Sequence, residues 1–408
     1  MVVAHDKGKV KHLSEEAQCN LSRWYGEIVS LNSCDFSKVD LIVDALFETG
    51  LQRPVRGAYL ELIRKVNQLK LPCISVDIPS GVNSDTGKVM GQAIRAFKTV
   101  ALGALKRGHV LLPGKIFCGD VKVSDIGLGR CTLNDQVTYK NTPALWKSSL
   151  NFPEPSDNKY TRGHLIVVGG KSMVGAARLA AQASRRIGAG IVTIVCPKSV
   201  KYLYRITAYG EIVKSYKDSK DFEKVFTSEK VDGILFGPGL EPTSKTKDLV
   251  EVCLKTKKPL VLDAGGLSCL KKDKERFFSL IHEKCGLLPH EGEFKRLFPR
   301  FDCKVSSVLE ASKMIESTLL LKGADTIIAN GIGECCINTN APPFLATAGT
   351  GDVLAGIVAG LMVQGVEPFY STAAATWIHG EAANKIGLGL IAEDIERVIP
   401  EVLKELAG

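Results

Sequence analysis

Short apolar runs alternate along the chain with stretches whose hydrophobic positions recur every three to four residues. Residues 39–43 read as a strand, 58–69 as an amphipathic helix and 73–77 as a second strand; the same grammar resumes at 165–170, 174–187 and 191–195. That rhythm predicts parallel strands covered by helices. Further runs at 233–236, 259–262 and 318–322 end in small or polar clusters, namely Gly237-Pro238-Gly239, Asp263-Ala264-Gly265-Gly266 and Lys322-Gly323. With Gly169-Gly170, four such clusters fall where open α/β sheets collect ligands, at the carboxyl ends of strands. Any one of them is explained equally well as a tight turn, but four in one half-chain predict a shared ligand floor. Between the halves, residues 142–158 carry Pro143, Pro153 and Pro155 among Ser, Asn and Asp, and read as a linker.

Composition narrows the class. The 408 residues, 45% hydrophobic and 24% charged, suit two packed domains. A net charge of +9 favours anionic small molecules, but the basic residues are scattered, so no nucleic-acid partner is expected. Twelve cysteines without a CxxC pair read as reduced thiols. The seven histidines form neither HExxH nor a zinc spacing, which argues against a tightly held transition metal. The amino terminus lacks the features of a secretory signal, and the longest apolar run, 353–363, covers about half the length a bilayer requires. A cytoplasmic protein with no membrane partner is the expectation. Within that run, Gly356 and Gly360 are spaced for close helix packing.

The sharpest chemistry lies in Thr347-Ala348-Gly349-Thr350-Gly351-Asp352, directly ahead of an apolar helix. Glycines at a helix start leave N–H groups unobstructed, and the helix dipole adds positive potential, so an oxyanion fits there. Asp352 beside such a site suits a general base, although a first-turn acid that merely caps the helix explains it equally well. Lys322, followed by Gly323, Ala324, Asp325 and Thr326, closes a strand where an ammonium and exposed backbone can meet phosphate. Residues 170–176 superficially resemble a Walker A loop, but Ala176 and Ala177 stand where Lys and Ser or Thr are required, so this is no P-loop. His290, in Pro289-His290-Glu291-Gly292-Glu293, is a candidate ligand contact at another strand end, with a structural role as the commoner reading.

Taken in order, Lys159-Tyr160-Thr161-Arg162-Gly163, Gly169-Gly170 with Gly175-Ala176-Ala177, Gly237-Pro238-Gly239-Leu240, Pro289-His290-Glu291-Gly292-Glu293, Lys322-Gly323-Ala324 and Gly349-Thr350-Gly351-Asp352 resemble the ADP- or ATP-dependent NAD(P)H-hydrate dehydratase family over about 250 residues. The resemblance implies a ribokinase-like α/β fold and nucleotide-driven loss of water from the S epimer of NADH or NADPH hydrate (NADHX and NADPHX). It implies Asp352 as catalytic base and substrate contact, and Gly349, Thr350 and Gly351 as anion hole. Lys322, Gly323, Ala324, Asp325, Thr326 and Gly351 would hold ADP or ATP with Mg2+, while Ala176, Gly239 and His290 would line the hydrate site. A homo-oligomer is also expected. One departure is visible: relatives carry a second acid in an Asp-Ala-Asp turn, where this chain has Asp263-Ala264-Gly265. A ribokinase-like kinase acting on a small alcohol or vitamin precursor is the rival reading.

In the first half, Asp77-Ile78-Pro79-Ser80-Gly81 and the earlier Asp44-Ala45-Leu46-Phe47, with Gly103-Ala104-Leu105-Lys106 and Gly119-Asp120-Val121, resemble the NAD(P)H-hydrate epimerase family, often fused ahead of the dehydratase. By that resemblance Asp77 is the acid/base and a substrate contact, and Asp44 and Ser80 hold K+, for which oxygen ligands are suited. The family's Asn-Asn-Gly-Gly-Asp loop is missing from the sequence, and Glu48 stands where relatives carry glycine. The expectation is therefore an incomplete Rossmann-like epimerase domain over 1–140 with impaired activity, a linker over 141–158, and the dehydratase domain over 159–408.

Overall fold

In the computed structural model, which describes residues 3–5, 14–128, 138–228 and 230–408, the chain divides into two units, 1–132 and 133–408. In the first, β1 (Val3–His5) is followed by α1 (Glu15–Ser22) and β2 (Ile28–Ser30), and the two strands pair in parallel. The helix starts at Ser14, whose hydroxyl accepts the Ala17 N–H at 3.3 Å. Next come β3 (Ile42–Asp44), α2 (Gly57–Leu69), β4 (Cys73–Val76), β5 (Lys98–Leu102) and β6 (Asp120–Ser124), with the four strands side by side in chain order and all parallel. The i, i+1, i+4 spacing of Leu62, Ile63 and Val66 turns one stripe of α2 inward, where it packs with Cys73 and Ile94. The strand expected at 39–43 begins later, at Ile42, and ends on Asp44.

The second unit opens with β7 (Thr138–Lys140) and α3 (Pro143–Trp146), then β8 (His164–Val168), α4 (Val174–Arg186), β9 (Ile191–Pro197), α5 (Lys201–Arg205), β10 (Ile212–Tyr216), α6 (Ser219–Ser228), β11 (Gly233–Phe236), α7 (Ser244–Lys255), β12 (Leu260–Leu262), α8 (Ala264–Ser268), α9 (Lys274–Phe278) and β13 (Cys285–Leu287). It continues with α10 (Glu291–Leu297), α11 (Lys304–Met314), β14 (Thr318–Leu321), β15 (Ile327–Ala329), β16 (Cys335–Ile337), α12 (Thr350–Met362), α13 (Pro368–Ile386) and α14 (Ala392–Ala407). Ten strands form one sheet in the order β10-β9-β8-β11-β12-β13-β14-β15-β16-β7. The pairings from β10 through β14 are parallel, and β15 turns back antiparallel. Every residue of β8, β11, β12 and β13 is buried, as strands covered on both faces must be.

Eleven of the 13 residues of α12 are buried, which makes it an interior helix; the two that are not, Gly351 and Asp352, lie in its first turn. It packs along α4, where the Ser184 hydroxyl donates to the Gly356 carbonyl at 2.9 Å. Among the described residues, no helix is long and apolar enough to cross a membrane.

Part of the segment read as linker is built into the second unit. The Asn141 side-chain amide donates to Asn338 Oδ1 at 2.9 Å and to the Ala373 carbonyl at 2.8 Å, and its oxygen accepts from Trp146 Nε1 at 2.9 Å. Trp146 is fully buried in the core cluster. The polar composition conceals this because the polar groups find their partners inside the fold. Residues 153–161 are exposed throughout.

Candidate active site

The carboxyl ends of β8, β11, β12, β13 and β14 deliver Gly170, Gly239, Asp263, His290 and Lys322 to one edge of the large sheet, as parallel winding requires. The start of α12 arrives at the same place. Its first residues follow Gly349, which adopts φ +90, a left-handed conformation that favours glycine. The Thr350 hydroxyl donates to the Leu345 and Thr347 carbonyls at 2.9 and 3.0 Å. It therefore ties the turn down, and what this residue offers an anion is its backbone. The N–H groups of a first helical turn have no partner within the helix, so they are available to a ligand.

Asp352, in that first turn, is partly buried. Burial pushes its carboxyl up to about 6; the neighbouring Asp263 charge adds to the rise, and the Lys322 ammonium opposes it. Lys322 Nζ forms an ion pair with the buried Asp263 carboxylate. A side chain added at Gly351 would meet Lys322 Nζ at 3.8 Å, so the ammonium stands against the helix start. Asp352, Asp263, Lys322 and Gly351 thus form a single charged cluster. Asp263 also caps α8, accepting the Ala264 N–H at 2.8 Å.

Around this cluster the other candidates take their places. The Lys322 N–H donates to the Pro289 carbonyl at 2.9 Å, and Lys322 bridges His290 in parallel register, which sets the two side by side. His290 caps α10: its Nδ1 accepts the Gly292 and Glu293 N–H groups at 2.9 and 3.3 Å, while Glu293 Oε2 accepts the His290 N–H at 3.0 Å. With Nδ1 engaged as an acceptor, the neutral ring carries its proton on Nε2, and the side chain is 55% exposed. The turn 322–326 closes through Thr326 Oγ1, which accepts the Gly323 N–H at 3.1 Å and donates to the Gly323 carbonyl at 2.7 Å. Ala324 lies within that turn, and the buried Asp325 carboxylate is ion-paired with Lys304. On the far side, a Cβ at Gly239 would stand 3.3 Å from Ala176 Cβ and 2.3 Å from the Met173 carbonyl, so these two candidate substrate contacts are adjacent.

Gly265, where the resemblance leads one to expect a second acid, has a physical cause. An added Cβ there would lie 1.8 Å from the Leu240 carbonyl oxygen, so the 237–240 turn occupies the space of any side chain. Among the described residues no group of three or more His, Cys, Asp or Glu side chains is placed to hold a metal ion.

In the first unit, Asp44 ends β3 and Asp77 follows β4 with φ +63, a strained value for a residue other than glycine. The buried Asp44 carboxylate accepts from Ser75 Oγ and the Ser80 N–H, each at 2.8 Å, and Ser80 Oγ accepts the Phe47 N–H at 2.9 Å. Asp44 and Ser80 are therefore brought together, and among the described residues no lysine or arginine pairs with this carboxylate. Asp77 Oδ1 accepts the Leu102 N–H at 2.8 Å and forms an ion pair with Lys106. His109 Nε2 lies 2.7 Å from the Asp77 carbonyl, and burial holds that ring's pKa below its usual value. Glu48 is exposed.

Sequence reasoning missed three participants: Asp263 as the partner of Lys322, Lys304 as that of Asp325, and Lys106 as that of Asp77. Asp263 left a signal as the polar end of an apolar run and Lys106 as the end of the Gly103-Ala104-Leu105-Lys106 motif, whereas Lys304 left none.

Comparison with known proteins gives the family and the fold. Residues 164–400 match the family model described as NAD(P)H-hydrate dehydratase, and residues 2–108 match that of the YjeF-related protein N-terminus. The bifunctional NAD(P)H-hydrate repair enzyme Nnr of Moorella thermoacetica is 34% identical over 389 residues, covering 90% of this chain and 73% of the relative. Its counterpart in Synechocystis is 32% identical, with 88% and 70% covered. Among solved structures, the ADP/ATP-dependent NAD(P)H-hydrate dehydratase of Bacillus subtilis, co-crystallised with ATP and Mg2+, superposes with a TM-score of 0.57 at 26% identity, covering 66% of this chain and 99% of that one. A ribokinase-like superfamily protein of Enterococcus faecalis shares the fold, with a TM-score of 0.59 at 23% identity over 66% of this chain and 96% of that one. The second unit thus has a ribokinase-like fold, and the chain belongs to the NAD(P)H-hydrate repair family, with a YjeF-related N-terminal part followed by an NAD(P)H-hydrate dehydratase part.

Proposed function

We propose that the second unit dehydrates the S epimer of NADH or NADPH hydrate, using ADP or ATP with Mg2+, and so restores the reduced coenzyme. The observation that carries this reading is Asp352, a carboxyl lifted to about 6, in the first turn of an interior helix beside Lys322 and Asp263. Asp352 takes the proton of the substrate hydroxyl as the terminal phosphoryl group transfers to that oxygen. Hydroxide is a poor leaving group, whereas phosphate departs readily, driven by the lone pair of the ring nitrogen. Loss of a proton from the neighbouring carbon completes the double bond. The backbone of Gly349, Thr350 and Gly351 bears the negative charge that accumulates at the phosphoryl group. Lys322, Gly323, Ala324, Asp325 and Thr326 hold the nucleotide. Since the Asp325 carboxylate is engaged by Lys304, that residue contributes backbone, not charge. Mg2+ bound to the nucleotide phosphates would offset their charge and would need few protein carboxylates. Ala176, Gly239 and His290 line the hydrate site.

The deciding experiment gives purified protein the separated epimers with ADP or ATP and follows both released phosphate and the absorbance of the reduced nicotinamide. Recovery of absorbance with the S epimer is expected. A stable phosphorylated product without recovery would make the protein a kinase. Because the base acts only when unprotonated, kcat/KM should rise with pH through about 6 and level off above it. A profile flat from about pH 5 to pH 8 would remove Asp352 from the role.

In the first unit, Asp77 serves as acid/base for epimerisation, with Lys106 countering its charge. Asp44 and Ser80 would hold K+: their oxygens suit a hard cation, and the Asp44 carboxylate, buried among neutral donors, is the kind of group a cation completes. Glu48 sets a negative charge in the loop after Asp44, which an anionic dinucleotide must approach, and slow conversion of R to S follows. Glu48→Gly should speed that conversion in an assay supplied with the R epimer alone. Equal rates in both proteins would show that this carboxylate is no obstacle.

A further inference from the structure

The two helices whose starts frame the catalytic turn also share their far ends. α4 carries Ala176 in its first turn and α12 carries Asp352; each is 13 residues long, about 20 Å at the rise of an α-helix. Where they finish, the 150–153 segment and the last turns of α14 complete a cleft of about 370 Å³. That volume lies in the range of small-molecule sites. Phe152, Leu361 and Leu403 give it apolar walls, and Arg162, Arg185, Arg186 and Lys404 bring positive charge. Among the described residues no carboxylate lines it.

The arginines of α4 and Lys404 stand in the last turns of their helices, where cations are common. Arg185 is occupied by Glu211 at 2.9 Å, and Arg186 acts on Glu396 across a longer gap. Arg162 has no helix end to complement. Its guanidinium reaches over Gly188, where an added Cβ would lie 2.5 Å from its Nη2. Four basic side chains from three parts of the chain therefore line one apolar-walled cleft, about a helix length from Asp352; Arg185 is held by Glu211, Arg186 and Arg162 feel the Glu396 and Asp157 carboxylates, and Lys404 adds a fourth cation. From this convergence we propose that the cleft is a second ligand site, which takes a small organic anion with an apolar body, such as a phosphate monoester, independently of the nucleotide.

The test is calorimetric titration of hexyl phosphate into the full chain already saturated with ATP and Mg2+. One site per chain is expected, with hexanol and inorganic phosphate each binding at least about tenfold more weakly, since each lacks half of the recognition. Leu403→Trp, which fills the cleft, and Arg162→Ala, which removes a cation without touching the core, should each weaken hexyl phosphate by about tenfold or more. Neither residue belongs to the catalytic cluster, so dehydration at saturating substrate should persist in both variants. The proposal is overturned if no binding remains in the presence of ATP, or if both variants bind as the parent does. Sedimentation of the protein with phosphatidic acid vesicles, but no binding of hexyl phosphate, would instead point to a lipid surface.

Discussion

Asp352→Asn should lower dehydration of the S epimer by about a thousandfold, the scale of a lost general base, while nucleotide affinity changes little. The same substitution should make the protein more stable. The carboxyl titrates near 3.8 in the unfolded chain and near 6 when folded, so the native state binds this proton more tightly. Its contribution therefore favours folding at acid pH and is lost as pH rises through about 6. Above that, the ionised carboxylate opposes folding by roughly 2 to 3 kcal/mol. Asparagine has no charge to bury. Melting temperatures compared at pH 5 and pH 8 should accordingly show a gain of several degrees for the variant at the higher pH and a smaller one at the lower. A variant that loses nucleotide binding as fully as turnover, or whose stability gain does not depend on pH, would count against both the role and the environment assigned here.

Lys322→Met should cost about 3 kcal/mol of stability, because it leaves the buried Asp263 carboxylate without its counter-ion. It should also move the acidic limb of the rate profile to higher pH, since Lys322 holds the Asp352 pKa down against burial. Pairing it with Asp263→Asn removes the orphaned charge, so the double variant should regain most of the stability without regaining activity. Denaturant titration of the four proteins in this cycle measures the coupling directly. A Lys322→Met protein as stable as the parent would mean that water reaches Asp263 freely.

The two predictions draw on parts of the site that were not equally legible in the sequence. The turn 347–352 could be read in one dimension because everything it needs is local: glycines, then an acid, then an apolar helix. The parallel strands could be read because burial on both faces writes an unbroken apolar run, as in β8 and β11. β15, β16 and β7 could not, since three-residue strands carry little pattern and their pairing depends on distant partners. The importance of Asp263 was hidden for a similar reason: its partner, Lys322, is 59 residues further on. The 141–158 stretch misled in the other direction, its prolines and polar residues drawing attention from Trp146, which sits in the core.

Gly265 departs from the acid that the resemblance implies, and the structure shows why no side chain fits there. Because the carbonyl oxygen of Leu240 would lie 1.8 Å from an added Cβ, placing an aspartate there would not be a single-residue change. The acid would have to push aside the loop that also presents Gly239 beside Ala176. Two neighbouring positions are thereby coupled: a side chain at 265 fits only if the 237–240 turn moves and carries Gly239 away from Ala176.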